Sequence, residues 1–537
     1  MDDVQFYPIE FSRSVIGYLY NNPGERWSPE DPQGFRHMRM TTGKTAELYD
    51  LSTDISETTR RPPMKTRFTA TLIAVLAVCL TAITAEAKPL DGSRPNIILM
   101  MADDLGYGDT GFNGNTIIKT PHLDQMALDG VKLTHFYAGN SVCSPTRGTC
   151  LTGRHHHRYG IWTANKGHLP KQEITLARML KEQGYATGHF GKWHLGTLDK
   201  VISSKGAKRK PEENFAPPWK RDYDRSFVTE SAVNTWNPGS GGRSKDNPFY
   251  DDGKALNPND PSLSGGAARV VVDRAVPFME QAVADGKPFL SVVWFHAPHE
   301  DIEAGPDYLK MYEGHGEGAH YFGCITELDE QVGRIRATLE ELGVAKNTLI
   351  LFCSDNGPEG KAPAGRRQGV TAGLRGRKRD LYDGGVRVPA LACWPGKIQA
   401  GAVVETPLST LDYFPTIQKL VGYQMPDARP IDGQDSWPIL TGAAGQREKA
   451  IPFVRGNVVS VVKGRFKLRL PKGELYDLSK DWSEGNDVAA AHPERVELMS
   501  KEATALVESF KKSHSGADYN DSAYVPVDKW ESILGVK

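Results

Sequence analysis

Asn96-Ile97-Ile98-Leu99-Met100-Met101-Ala102-Asp103-Asp104 decides the fold class. The segment is apolar without alternation and ends on two acids. An unbroken apolar run of this length is the signature of a strand buried on both faces of a parallel sheet. Pro288–Phe295 (PFLSVVWF) and Asn347–Cys353 (NTLILFC) read the same way, and Tyr185–Phe190 is a shorter candidate. Helical patterns lie between them, at Thr175–Gln183, Arg269–Val283 and Ile325–Leu342. Gly184 and Gly343 follow two of these as C-cap glycines do. Strands alternating with helices predict an α/β core built on a mixed, largely parallel central sheet flanked by helices.

Ligands of such sheets bind beyond the carboxyl ends of the strands. Polar residues collect at those ends. Asp103 and Asp104 follow one strand, Lys192 and His194 a second, His296 and His299 a third, and Asp355 and Asn356 a fourth. Ser203–Ser264 and Gly357–Gly373 are Gly- and Pro-rich and read as long functional loops. Near Gly442 the pattern changes. Short strand-like runs over Ile451–Leu470 and a helical Pro493–Lys511 predict a smaller C-terminal α+β domain over 441–537, behind a catalytic domain at 94–440.

The chain has 537 residues, 39% hydrophobic and 24% charged, with a net charge of −1. A balanced charge gives no global attraction to nucleic acid or an anionic membrane, so anion selectivity must be local. Six cysteines are too few for a disulfide scaffold of this length, and without a CxxC pair they argue against a structural zinc. Met64–Ala87 has the form of a secretory signal: Lys65 and Arg67, an apolar run at Leu72–Leu80, then Ala85-Glu86-Ala87 as a cleavage site. The run is short for a membrane span. Cys79 lies inside it, which weakens a lipoprotein reading. The polar residues 1–63 ahead of it are a non-structural leader or a mis-assigned start. The mature protein is expected to be periplasmic or secreted, with no membrane association after cleavage.

Cys143-Ser144-Pro145-Thr146-Arg147, with Leu151-Thr152-Gly153-Arg154 downstream, resembles the signature of the type I, formylglycine-dependent sulfatases of the alkaline phosphatase superfamily. The resemblance continues in order through Asp103-Asp104, Gly191-Lys192-Trp193-His194-Leu195-Gly196, Pro298-His299, Asp355-Asn356-Gly357 and Leu374-Arg375-Gly376-Arg377-Lys378, on to Asp383-Gly384-Gly385-Val386-Arg387-Val388-Pro389. It covers roughly Pro95 to the C-terminus. Asp383 stands where the family more often has Glu, and Thr146 where it more often has Ser.

The resemblance implies that Cys143 is oxidised to formylglycine by a maturation enzyme, and that Asp103, Asp104, Asp355, Asn356 and residue 143 bind calcium, with magnesium as the alternative. Hard oxygen ligands suit either ion. Taken singly, each Asp reads equally as a helix N-cap. The resemblance further implies that Arg147 and Lys192 hold the nucleophile and its charge. His299 and Lys378 bind sulfate and protonate the leaving oxygen, and His194 is the base that lets sulfate depart. The implied activity is hydrolysis of organic sulfate esters.

The substrate is expected to be a sulfated carbohydrate, with Arg225 and Trp236 in the long loop, beside Trp219, offered as contacts. Arg377 and Arg379 flanking Lys378 read as a basic rim for a polyanion, or as a solvated face. A small aromatic sulfate is the alternative substrate. A phosphoester or phosphonate hydrolase of the same superfamily is another reading, and a non-catalytic sulfated-glycan binder is the reading from a different class. The tract His155-His156-His157 reads as pocket wall or surface, not as a metal site.

Overall fold

A computed structural model describes residues 94–240 and 245–537, and before them the short pairing of Met38–Arg39 with Glu47–Leu48. The predicted signal at 64–87 lies outside the described residues. The described residues from Arg94 to Lys537 form one compact unit.

The elements of the large sheet run as follows. β1 is Asn96–Ala102, α1 Pro121–Asp129 and β2 Val131–Leu133. α2 is Cys143–Thr152, α3 Leu176–Glu182, β3 Ala186–Lys192 and β4 Arg225–Thr229. β5 (Tyr250–Asp251) and β6 (Lys254–Ala255) precede α4 (Ala267–Ala284) and β7 (Phe289–Trp294). α5 (Gly318–Glu341), β8 (Thr348–Ser354), β9 (Ala390–Cys393), β10 (Ala402–Val404) and α6 (Tyr413–Val421) complete it. The ten strands lie in the order β10-β2-β9-β8-β1-β7-β3-β4-β5-β6. The five from β8 to β4 are mutually parallel, and antiparallel strands join at β9 and β5.

Side chains of a strand alternate between its faces. Ile97, Leu99 and Met101 therefore join Leu290, Val292 and Trp294 in a core closed by α2, α3 and α6. Ile98, Met100 and Ala102 join Val293 and Phe352 in a second core closed by α1, α4 and α5. Burial on both faces explains the unbroken apolar runs. Ser203–Ser264, read as irregular, contributes three edge strands, β4 to β6. They are two to five residues long, too short to print a period on the sequence.

The last hundred residues form a four-stranded antiparallel sheet: β11 (Ile451–Arg455), β12 (Val458–Lys463), β13 (Phe466–Leu470) and β14 (Glu474–Asp477). α7 (Pro493–His514) covers one face through Met499, Ala503, Val507 and Phe510. The other face packs Ile451, Phe453 and Tyr476 on Tyr137, Val386 and Leu411 of the main body. The sheet thus shares its core with the rest of the unit.

Charges are buried in that seam. Lys467 of β13 pairs with Asp383 at 2.7 Å and Glu484 at 2.9 Å, all three fully buried. Tyr137 donates to Asp383 at 3.1 Å. The histidine tract lies on the α7 side and is not at the surface. All three rings are buried. His155 stacks on Phe510 of α7, with centroids 4.2 Å apart, and His157 meets Trp162 edge-on. His156 donates from Nδ1 to the Ile161 carbonyl and accepts from Asn140 at Nε2. The tract turns inward because α7 supplies an apolar face over it, which a local reading does not see.

Removing one partner of a buried ion network leaves uncompensated charge, which costs about 3–5 kcal/mol. Lys467→Met should therefore lower unfolding free energy by about that amount. Lys463→Met, which breaks a part-exposed pair with Glu502, should lower it by about 1 kcal/mol or less. Urea unfolding of both variants checks the difference.

Candidate active site

The site sits at the carboxyl end of the parallel strands, as the strand-end residues predict. Asp103 and Asp104 leave β1, Lys192 ends β3, His299 follows β7, and Asp355 and Asn356 leave β8. In the ladder, Ser354 of β8 pairs with Ala102 of β1, so the two acidic segments emerge side by side. Asp104 donates its backbone N–H to Asp355 Oδ1 at 3.1 Å. Asp104 and His194 take left-handed φ values of 68° and 57°. Non-glycine residues in this region carry strain, which is commonly found at functional sites. Gly191 allows the close packing behind Lys192. It has φ 99°, and a Cβ there would meet the Trp294 carbonyl at 1.9 Å.

Cys143 is the first residue of α2, and Arg147 lies one turn on along the same helix. All ten residues of this helix are buried, so both side chains are fixed against the strand ends. The helix N-terminus adds positive potential at residue 143.

Three acids face three cations. Arg147 forks onto Asp355 Oδ2 at 2.6 and 3.1 Å and lies 3.6 Å from Asp103. Lys192 binds Asp103 at 2.7 Å. Lys378 binds Asp104 at 2.6 Å, and His299 Nε2 is 3.8 Å from the same carboxylate. Burial alone would raise the Asp104 pKa, but Lys378, His299 and Lys192 outweigh it and hold this carboxyl well below the ordinary range. Burial and the neighbouring Asp103 push Asp355 up to about 6, against Arg147. Burial also pushes the Cys143 thiol up, despite Lys192 and Lys378. A thiol held neutral this way is a poor nucleophile.

Two histidines complete the cluster. His194 Nε2 meets Asn165 Oδ1 at 2.8 Å. With Oδ1 accepting, Nε2 carries the hydrogen and Nδ1 keeps its lone pair. That Nδ1 is buried without a hydrogen-bond partner. Burial, with Lys192 and Arg147 nearby, keeps the imidazole neutral. His299 donates from Nδ1 to the Glu300 carbonyl at 2.7 Å, leaving Nε2 as its exchangeable position.

Cys143, Lys192, His194, His299 and Lys378 line one cavity of about 340 Å³, with Arg147 beneath. Asn165, Lys205, Glu359, Arg379 and Arg455 also line it, and the sequence reading did not single out the first three or the last. The donor set suits a hard divalent cation. Asp103 Oδ1 and Asn356 Oδ1 are buried and lack hydrogen-bond partners. Single oxygens of Asp103 and Asp355 lie with Cys143 Sγ within 4.8 Å of one another.

The chain belongs to the sulfatase family. The sulfatase family model matches residues 95–423. Mouse steryl-sulfatase is 34% identical over 462 residues, covering 71% of each chain. Dog N-acetylgalactosamine-6-sulfatase is 32% identical, covering 70% of this chain and 71% of its own. The solved structure of Ps i-CgsB in complex with k-i-k-neocarrahexaose superposes with a TM-score of 0.68 at 25% identity, over 80% of this chain and 95% of that one. The reaction class is hydrolysis of sulfate esters.

Three expected contacts fall elsewhere. Arg225 opens β4, at the far end of the strand from Thr229, which pairs with Lys192. It is ion-paired with Asp251 and Asp252, so it is not a substrate contact of this cavity. Trp236 packs on Gly305 and edge-on against Tyr308, outside the cavity lining. Arg377 turns from the rim to the carbonyls of Glu359, Gly360 and Gly369 at 2.7–3.0 Å and staples its own loop. Arg379 alone of the two flanking arginines stays at the cavity.

A neutral hydrogen bond contributes about 0.5–1.5 kcal/mol net. Asn165→Ala should therefore lower kcat on a sulfate ester by up to about tenfold. Asn165→Asp, which keeps the acceptor, should restore most of it. Steady-state kinetics of the two variants checks this.

Proposed function

We propose that this sulfatase is exported, that Cys143 is converted to formylglycine by a maturation enzyme, and that the enzyme removes sulfate from a sulfated carbohydrate with calcium bound. The observation that carries the proposal is Cys143 at the head of α2, among three buried acids, with two side-chain oxygens there lacking a hydrogen bond. Asp103, Asp104, Asp355 and Asn356 would hold the calcium, or magnesium in its place. When bound, the ion supplies positive charge to sulfate oxygens and to the nucleophile. A formylglycine at 143 supplies oxygen nucleophiles in place of a neutral thiol.

The remaining roles belong to side chains already in position. Arg147 and Lys192 balance the acids that surround residue 143. Lys378 is held charged by Asp104 despite its burial, so it offers a cation to sulfate. His299 presents Nε2 on the same side, for exchange with the leaving oxygen. His194, neutral and with Nδ1 unprotonated, is the proton acceptor for the release of sulfate. These groups act together at one centre, which gives charge stabilisation and proton transfer without rearrangement.

The cavity lining favours a sugar over a small aromatic. Thr163, Asn165, Lys205, Ser231 and the charged groups offer hydrogen bonds, and the lining holds no Phe, Tyr or Trp. The sugar-directed names among the relatives, N-acetylgalactosamine-6-sulfatase and the neocarrahexaose complex, support the same choice. No helix among the described residues is long and apolar enough to cross a membrane.

Mass spectrometry of the peptide around Cys143, from protein of the native host, should find the aldehyde or its hydrate. A fully unmodified cysteine there overturns the mechanism. Cys143→Ala should lower kcat by about 1,000-fold or more. Chelation followed by calcium should abolish and then restore activity. Sulfated monosaccharides should be turned over with higher kcat/KM than 4-nitrophenyl sulfate, and the reverse order would favour an aryl substrate.

A further inference from the structure

The C-terminal sheet places a cation in the catalytic cavity that the chemistry does not use. Arg455 ends β11 and lines the cavity together with Cys143 and Lys378. Its backbone pairs with Val458 in the hairpin, while its side chain is exposed and makes no hydrogen bond or ion pair among the described residues. The other lysines and arginines that line the cavity are engaged, Lys205 among them. Lys192 is paired with Asp103 and Lys378 with Asp104. Arg379 is paired with Glu359 at 2.5 Å.

The position of Arg455 is built. Asn140, three residues before Cys143, donates from Nδ2 to the carbonyl of Val454 at 2.8 Å. The same segment holds Arg379, whose backbone N–H donates to the Ser141 carbonyl at 2.9 Å. Arg379 is kept at a left-handed φ of 77° there. Residues 140 and 141 thus fix the two backbones that carry Arg455 and Arg379, on the approach to the nucleophile. Gly456, at φ 56°, closes the β11–β12 turn directly after Arg455.

One scissile sulfate would be met by Lys378 and His299, beside the carboxylates that would hold the ion. It leaves Arg455 unanswered. We propose that Arg455, with Arg379 beside it, binds a second anionic group of the substrate, a sulfate or carboxylate, so that the enzyme selects polyanionic sugars over singly sulfated ones. This rests on the carbohydrate reading above and deepens it. Arginine suits the role because its planar fork binds both anions through two parallel hydrogen bonds. Glu359 is the internal counter-ion that Arg379 exchanges for the substrate anion. A second cavity of about 690 Å³ shares Glu359, Lys378 and Arg379 with the first and gives the remaining sugar an exit.

The test is equilibrium binding to calcium-loaded Cys143→Ala protein, which has no nucleophile at residue 143. The probes are hexosamine monosulfates and the corresponding disulfates, glucosamine 2-N,6-O-disulfate among them. At least one disulfate should bind more tightly than its monosulfates. Adding Arg455→Gln should weaken that disulfate by about 10- to 100-fold, and the monosulfates by less than about twofold. Arg379→Gln should act in the same direction with a smaller effect. Equal affinity for mono- and disulfates, or an equal loss on both in Arg455→Gln, overturns the proposal while leaving the sugar site intact. If no sulfated hexosamine binds, the carbohydrate reading itself fails. Higher salt should erode the disulfate preference, since the added contact is charge to charge at an exposed site.

Discussion

The structure is organised around three carboxylates buried side by side at the ends of adjacent parallel strands. Like charges at this spacing are tolerated only if each is compensated, because an unpaired buried charge is far costlier than a paired one. Asp103, Asp104 and Asp355 are met by Lys192, Lys378 and Arg147 respectively. The three cations come from a strand end, a distant loop and a buried helix. Each of those elements is therefore obliged to arrive at one place. Arg147 shows how strict the requirement is: its guanidinium spans Asp355 and Asp103 and also lies over the Trp294 ring at 5.1 Å. Helix α2 cannot shift without breaking that contact, and residue 143 moves with it. The position of residue 143 is in this sense a consequence of charge balance.

The C-terminal sheet obeys the same rule at a second location. Lys467 compensates Asp383 and Glu484 in the seam. Asp383 opens the Gly384-Gly385 segment, and the Gly385 carbonyl accepts the backbone N–H of Gly357 at 3.0 Å. Gly357 has to be glycine, since a Cβ there would stand 1.9 Å from the Gly384 carbonyl. Gly357 is the neighbour of Asn356, so a chain of contacts runs from β13 to the metal-type ligands. The smaller sheet is thus a structural support of the active site as well as one of its walls.

Much of this was legible in the sequence because strands buried on both faces leave unbroken apolar runs, and because strand ends fix where polar residues go. Asp103, Lys192, His299 and Asp355 were read correctly onto one edge for that reason. What failed was the direction of side chains away from regular elements. Arg225 and Trp236 sit in the right region of sequence, but Arg225 is at the wrong end of its strand and Trp236 faces α5's neighbour Tyr308. Arg377 and Arg379 are two residues apart and indistinguishable by composition. One is consumed by three backbone carbonyls, and the other reaches the cavity. The histidine tract was misread because its cover, Phe510, lies some 350 residues downstream. Asn165 and Arg455 carry no signal at all, since only the folded chain brings them to the cavity.

The division of labour that results has a physical logic. The groups proposed for bond breaking are almost wholly buried and stand at strand ends, on a buried helix and on adjoining loops held by ion pairs. The groups proposed for choosing a substrate stand on a hairpin and on a loop at the cavity, where sequence can change without unbalancing the buried charges. Asn140 and Ser141 join the two sets, because the segment that leads into residue 143 also holds the backbones of Val454 and Arg379. A substrate anion bound by Arg455 would therefore press on the same rigid segment that carries the nucleophile. Binding energy gained at the mouth is then available to fix the scissile sulfate over residue 143, which is how remote contacts of a substrate raise kcat as well as affinity.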